Sequence, residues 1–346
     1  MNPGNPLKGK VQTVLGPIQP EDLGPTLIHE HVLCDLTPAG SCFSEHEETE
    51  ITLENVWEIR HHWNKHPGNC RLNDYDVAVR ELRRMKTDGG GAVVDQTSRG
   101  MKRDPSGLRN AAERAGVPII MGCGYYVEDS WGSEAPGGSA DAMAEAMISE
   151  FSEGAEGTGV CPGIIGEIGC SHPWTSSEKR VMEAAIKAQQ ATGAAVSVHP
   201  GRDPEAPFEI IRFIDSRGGN PGRTIMGHLD RTLFDGEALV RLARTGCMLE
   251  WDFFGIESSY YPFQNIDLPN DGMRLKFIRA LIDSGYCDRI LISQDICTKT
   301  RLVTYGGHGY GHLFRNIVPY MKQKGFQDSE IKTILLENPR RLLTIV

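Results

Sequence analysis

With 346 residues, 39% of them apolar and 24% charged, the chain can bury a sizeable core as two ordinary domains or one large α/β barrel. A formal charge of −10 disfavours nucleic acid or an acidic membrane surface as the main partner, so an anionic substrate needs a local basic patch. The opening Met1-Asn2-Pro3-Gly4-Asn5-Pro6 has no apolar signal-peptide core, and no run approaches membrane-spanning length. Nine scattered cysteines without a Cys-x-x-Cys pair point to reduced thiols in a cytoplasmic protein, with Cys123, Cys161 and Cys247 expected in strand cores.

Residues 10–18 alternate weakly and read as a short N-terminal β-ribbon. Gly24-Pro25 turns into an apolar strand over 26–28 that runs into His29-Glu30-His31. Strand alternation places His29 and His31 on one face and Glu30 on the other. A polar, irregular loop through Glu45-His46-Glu47-Glu48 follows. Helical spacing covers 53–66, where Trp57, His61 and His62 read as a solvated or partly packed face, and again 74–88. From there strands over 91–95, 117–124, 164–168, 194–199, 224–228, 247–251 and 289–293 alternate with helices over 105–115, 139–152, 177–192, 206–216, 235–245 and 271–285. Further helices are expected over 311–322 and 329–336. Eight short strands alternating with helices imply a parallel sheet closed into a (β/α)8 barrel, and no linker-like stretch divides residues 1–346 into separate domains.

In such a barrel the chemistry collects at the carboxyl ends of the strands. There the chain sets His29 and His31, Glu167 within Gly166-Glu167-Ile168-Gly169, His199 before Pro200-Gly201, His228, and Asp295. The helical His-Glu-x-x-His spacing of zinc proteases is not present at His29-Glu30-His31. Any one of these residues also reads as a packed histidine or a loop salt bridge. Six nitrogen and oxygen donors recurring at strand ends suit a pair of zinc-like divalent ions, with Glu167 the natural bridge.

The stretches Gly9 to Gly16, His29-Glu30-His31, Gly163 to Cys170, His199-Pro200-Gly201-Arg202, His228 to Thr232, Asp295 to Arg301 and Tyr305 to Tyr310 together resemble the phosphotriesterase branch of the amidohydrolase superfamily. The likeness is to its phosphotriesterase-related group and covers nearly the whole chain. It implies metal-ligand roles for His29, His31, Glu167, His199, His228 and Asp295. Two divalent metals, zinc expected but manganese or cobalt suited as well, would carry a bridging hydroxide as nucleophile. Asp295 would be the catalytic acid–base group, passing a proton to the departing amine. Bacterial phosphotriesterases carry a carboxylated lysine where Glu167 stands, so organophosphate hydrolysis is not assumed. The resemblance implies instead amide hydrolysis of N-acetyltaurine to taurine and acetate. An esterase, lactonase or promiscuous phosphotriesterase on the same metals, or a non-catalytic binding barrel, are the alternatives.

A sulfonate is a permanent anion, so its site needs fixed positive charge or exposed N–H groups. Arg231, Arg202, Lys299 and Arg301 in the strand-end loops are candidates, each weighed against a local salt bridge such as Arg202 with Asp203 or Arg231 with Asp230. The glycine loop over 306–311 lacks the Gly-Lys-Ser/Thr of a nucleotide P-loop, and its His308 is a candidate pocket residue. Tyr126, beside Tyr125, is a candidate wall against the acyl group; Trp251, Phe253 and Phe254 read as barrel-top packing. The expected partner is a small anionic N-acyl substrate, not nucleic acid or membrane. A homodimer is compatible with the sequence and not fixed by it.

Overall fold

The computed structural model describes residues 6–37 and 49–346; the polar loop expected at 45–48 and the opening residues lie outside them. A two-stranded antiparallel ribbon, β1 (Val11–Thr13) and β2 (Gly16–Ile18), precedes the first barrel strand, β3 (Thr26–Glu30). A second small ribbon joins β4 (Cys34–Asp35) to β5 (Arg71–Leu72) above it. The other barrel strands are β6 (Ala92–Asp95), β7 (Ile119–Cys123), β8 (Ile164–Gly169), β9 (Val196–His199), β10 (Thr224–Met226), β11 (Met248–Trp251) and β12 (Ile290–Ile292). They run parallel in the order β12-β11-β10-β9-β8-β7-β6-β3. Hydrogen bonds from His31 N–H to Ile296 O and from Asp295 N–H to His29 O close the ring between its first and last strands. The expected (β/α)8 barrel and N-terminal ribbon are therefore both present.

Alternation along the strands builds two layers of core. Ile28, Val94, Ile120, Ile164, Ile225, Met248 and Leu291 point inward and fill the barrel beneath the strand ends. Their neighbours Leu27, Val93, Ile119, Ile165, Val196, Leu249 and Ile290 point outward against the helices. Truncating one of the inner isoleucines to alanine costs about 2–5 kcal/mol, because a ring packed from all sides cannot collapse onto the gap. The floor is sealed by both ends of the described chain: Gly9 N–H donates to Ile345 O at 2.8 Å and Ile345 N–H to Lys10 O at 2.9 Å.

The covering helices are α1 (Val56–His61), α2 (Tyr75–Thr87), α3 (Pro105–Ala115), α4 (Ala140–Glu153), α5 (Ser176–Thr192), α6 (Ala206–Ser216), α7 (Gly236–Ala243), α8 (Asp271–Asp283), α9 (Val318–Gln323), α10 (Asp328–Lys332) and α11 (Asn338–Leu343). Side-chain caps set many of their starts: Asp74, Asp104, Ser139, Asp235 and Asn270 each accept from a backbone N–H in the first turn. On α5 a full capping box, Thr175 with Glu178, starts the helix just ahead of the Ser-Ser-Glu expected to open it.

Three expectations are corrected. The helix expected over 53–66 is only α1, because the chain turns at His62 and Pro67 opens a separate 3-10 turn capped by His66. The C-terminal helices are broken by π-helical turns at Leu313–Ile317 and Thr333–Glu337. Each lies just before a proline, Pro319 or Pro339, which has no N–H to close the tighter ladder. Cys161 is half-buried outside any strand, whereas Cys123 and Cys247 are core.

Candidate metal centre and its cleft

The six strand-end residues meet. Glu167, at the top of β8, faces imidazoles with both carboxylate oxygens: Oε1 is 3.2 Å from His29 Nε2 and Oε2 is 2.9 Å from His199 Nδ1. His228 Nε2 is 2.7 Å from the same His199 Nδ1. Asp295 Oδ1 stands 3.2 Å from His31 Nε2 and 4.0 Å from His29 Nε2. Three groups of donors lie close enough to hold a cation, His29-His31-Glu167, Glu167-His199-His228 and His29-His228-Asp252, and Glu167 is common to the first two.

The outer atoms of three of these imidazoles show what the inner ones are for. His29 Nδ1 lies 3.0 Å from Glu250 Oε2, His228 Nδ1 lies 2.9 Å from Asp252 Oδ1, and His31 Nδ1 lies 2.9 Å from Thr97 Oγ1. A carboxylate only accepts, so the Nδ1 protons of His29 and His228 are spoken for. The Nε2 lone pairs are thereby aimed at the centre, as in the carboxylate–histidine pairs behind metal ligands. The donor set therefore fits divalent-cation binding.

Backbone geometry is spent on the same point. His228 and Asp295 are non-glycine residues at φ 53° and φ 46°, a conformation that costs of order 1–3 kcal/mol and persists only when its surroundings impose it. For His228 the Asp252 carboxylate does so, accepting the residue's own N–H at 2.8 Å as well as its ring. For Asp295, Arg301 Nη1 donates to its carbonyl at 2.6 Å. Glu30 points away from the centre, as strand alternation requires. It accepts from Ser293 Oγ, Gln294 N–H and Ile296 N–H, which locks the last strand to the first.

Charge follows burial and partners. Burial pushes Glu250 up to about 7. Burial also opposes charge on His228, yet the Asp252 carboxylate raises it to about 9. His199 is held well below the usual imidazole range by burial and by the His228 and Arg231 charges. Glu167 is held well below the carboxylate range by its three imidazoles, despite its burial.

Above the centre opens a cleft of about 910 Å³. Arg231, 1% exposed, donates Nη2 to His199 Nε2 and to Pro200 O, both at 3.0 Å, and its Nη1 has no partner among the described residues. The local pair with Asp230 does not form, because Asp230 takes Arg274 instead. Tyr126 sits edge-on to His199 with its hydroxyl 3.4 Å from Nε2, while Tyr125 is buried against Trp131. His308 lines the cleft with an Nε2 that has no partner among the described residues, and burial together with His312 and Arg301 lowers it to about 3. Arg202 also lines the cleft, but it donates Nε to Tyr261 Oη at 2.7 Å and its expected partner Asp203 pairs with His172. Lys299 is not brought to the cleft: it lines a separate small pocket with Leu72 and Tyr305.

Several contributors were not singled out in the sequence. Glu250 and Asp252 interrupt an otherwise apolar strand end, which was the available signal, but the neighbouring aromatics read as packing. Trp251 and Phe254 are indeed fully buried, whereas Phe253 lines the cleft 5.4 Å from the His228 ring. His61 is the partly packed member of its helix face, stacked between Trp57 and Tyr260, and it sits at the cleft mouth.

Comparison with known proteins agrees with this architecture. The chain is 43% identical over 344 residues to a Bos taurus protein named N-acetyltaurine hydrolase, covering 98% of this chain and 99% of that one. A solved resiniferatoxin-binding protein from Rhodobacter sphaeroides superposes with a TM-score of 0.90 at 33% identity, covering 98% and 97% of the two chains. The phosphotriesterase homology protein from Escherichia coli, with phosphate in its active site, gives 0.77 at 26% identity over 93% and 99%. The model of the phosphotriesterase family matches residues 9–343, and the chain is a hydrolase belonging to that family of metal-dependent enzymes.

Proposed function

We propose that the chain hydrolyses a short N-acyl amino-sulfonate, N-acetyltaurine foremost, to the free amine and the carboxylate. Two divalent cations, zinc expected, would be held by His29, His31, Glu167, His199, His228 and Asp295. The observation that carries this reading is Glu167 shared between two imidazole clusters, with Arg231 and its unpartnered Nη1 beside them. When bound, such a pair of cations lowers the pKa of water to about 7 and polarises a carbonyl.

The chain's own residues do the rest. Asp295, whose side chain is 13% exposed where the other ligands are nearly sealed, faces the cleft and is placed to take a proton from the attacking water. It then returns that proton to the amine, without which an amide nitrogen leaves poorly. Arg231 supplies a fixed positive charge for the sulfonate, and Tyr126 walls the acyl side beside His199. Neutral His308 offers one ring N–H or lone pair to the substrate and no charge. The named relatives and the eight free cysteines among the described residues support an amidohydrolase working in the cytoplasm as one barrel domain. A phosphotriester is the second reading, since the Escherichia coli relative holds a phosphate in its active site and a centre of this family can therefore take a phosphoryl group.

Taurine release from N-acetyltaurine, measured beside N-acetyl amino acids and a paraoxon-like ester, tests the proposal. Metal-replete protein is expected to turn over the first substrate and to lose turnover on chelation. Two metals per chain with no hydrolysis of any acyl substrate would instead indicate a binding barrel.

A further inference from the structure

Among the described residues, five arginine and lysine side chains line the cleft, and three of them are already spent. Arg60 donates to Gly306 O at 2.8 Å, Arg301 donates to Asp295 O at 2.6 Å, and Lys102 pairs with Glu134. Arg231 and Arg202 remain. Neither has a carboxylate partner among the described residues, since Asp230 takes Arg274 and Asp203 takes His172.

These two lie near one another and differ in what they still offer. Arg231 donates to Pro200 O, two residues before Arg202. Burial pushes the Tyr126 phenol well up, and the charges of Arg202 and Arg231 both pull against that rise, so one hydroxyl feels the two guanidiniums together. Arg231 has given Nη2 to His199 and Pro200 and keeps Nη1. Arg202 sends Nε to Tyr261 Oη at 2.7 Å, and its guanidinium lies 4.8 Å from the Phe263 ring centre and 5.6 Å from that of Tyr261. Stacking and the Nε bond fix the direction of its fork, and both Nη groups stay free of protein partners among the described residues.

Counting oxygens shows which anion suits this pair. Arg231 can serve one oxygen through Nη1. A carboxylate then has a single oxygen left, too few for a two-pronged fork, whereas a tetrahedral oxyanion with three oxygens has two. Resting on the amide-hydrolase reading above, we infer that Arg202 is the second headgroup residue, and that the substrates are N-acyl amines ending in a tetrahedral oxyanion, phosphonate as well as sulfonate, in preference to a carboxylate. N-acetyl-2-aminoethylphosphonate is the added substrate.

The test measures kcat/KM of the metal-replete protein for N-acetyltaurine, N-acetyl-2-aminoethylphosphonate and N-acetyl-β-alanine, and the binding of ethanesulfonate and propionate by calorimetry. Both tetrahedral headgroups are expected to beat the carboxylate by about tenfold or more, the worth of a charge-assisted hydrogen bond. In Arg202→Met, whose stem still packs on Phe263, that preference is expected to shrink to within about threefold. The same variant should weaken ethanesulfonate about tenfold and propionate by less than about threefold. Lys299→Met removes one positive charge outside the cleft and is expected to change none of these values. A wild-type rate for N-acetyl-β-alanine equal to that for N-acetyltaurine, rejection of the phosphonate, or equal losses across the headgroups in Arg202→Met would overturn the inference. Arg202-dependent binding of ethanesulfonate with none of the three amides hydrolysed would uphold the headgroup fork and refute the hydrolase reading instead.

Discussion

Replacing Asp252 by Asn asks whether the histidine ligands are aimed by the carboxylates behind them. The side chain keeps its volume, so packing at this fully buried position is preserved. What changes is acceptor capacity. Asp252 takes the His228 ring at 2.9 Å through one oxygen and the His228 N–H at 2.8 Å through the other. An amide can accept only one of these and must turn its NH₂ group toward the second donor. Hydrogen bonds to a charged group are worth about 1.5–3 kcal/mol, and the ring is also released to carry its proton on Nε2, where the metal should be. At about 1.4 kcal/mol per factor of ten, metal affinity is expected to fall roughly 10- to 100-fold. Activity titrated in chelator-buffered zinc, with metal content measured at each point, gives the midpoint directly. An unchanged midpoint, or a loss of kcat at saturating metal without a shift in midpoint, would refute the argument.

Asp295→Asn should retain most bound metal and lower kcat by about 100- to 10,000-fold, as expected for loss of a general acid–base group; near-normal turnover would exclude it as proton carrier. Arg231→Met should raise KM for N-acetyltaurine by about tenfold or more while changing it little for a neutral N-acetyl amide, because a charged hydrogen bond to the anion is lost. Arg103→Met should destabilise the fold by about 1.5–3 kcal/mol in urea unfolding, since it removes the charged hydrogen bonds to buried Glu150 at 2.9 and 3.0 Å and leaves that carboxylate only Arg99, at 2.9 Å. Metal affinity should also depend on pH. His228, raised to about 9, carries a proton in the metal-free protein below that pH, and the cation must displace it. The apparent zinc affinity should therefore climb between about pH 6 and pH 8, and a flat profile would contradict the assigned ligand.

The barrel and the six inward donors were legible because both depend on short-range pattern. β-Branched runs of fixed spacing give the strands, and a ligand at a strand's carboxyl end needs only that strand to be placed. What was not legible depends on partners far along the chain. Glu250 matters because it meets His29, 221 residues away, and Asp252 because it meets His228 at the end of the neighbouring strand. Lys299 reads, after Arg231, as a further strand-end cation. Two consecutive 3-10 turns, Lys299–Arg301 and Val303–Tyr305, swing it outward so that its ammonium lies 6.0 Å over the Tyr305 ring. His61 could not be placed from helical spacing because its neighbour in space, Tyr260, belongs to a long loop with no periodicity of its own.

The seam at which the ring closes has a consequence for biosynthesis. Glu167, His199 and His228 are adjacent along the growing polypeptide, so a ribosome-bound chain can present that cluster while the rest is still being made. The other cluster also needs His29 seated by Ser293, whose hydroxyl accepts its N–H at 3.0 Å, and Asp295 beside His31. Those partners emerge only after most of the message has been read. The second cluster therefore takes shape only once the last strand has closed on the first.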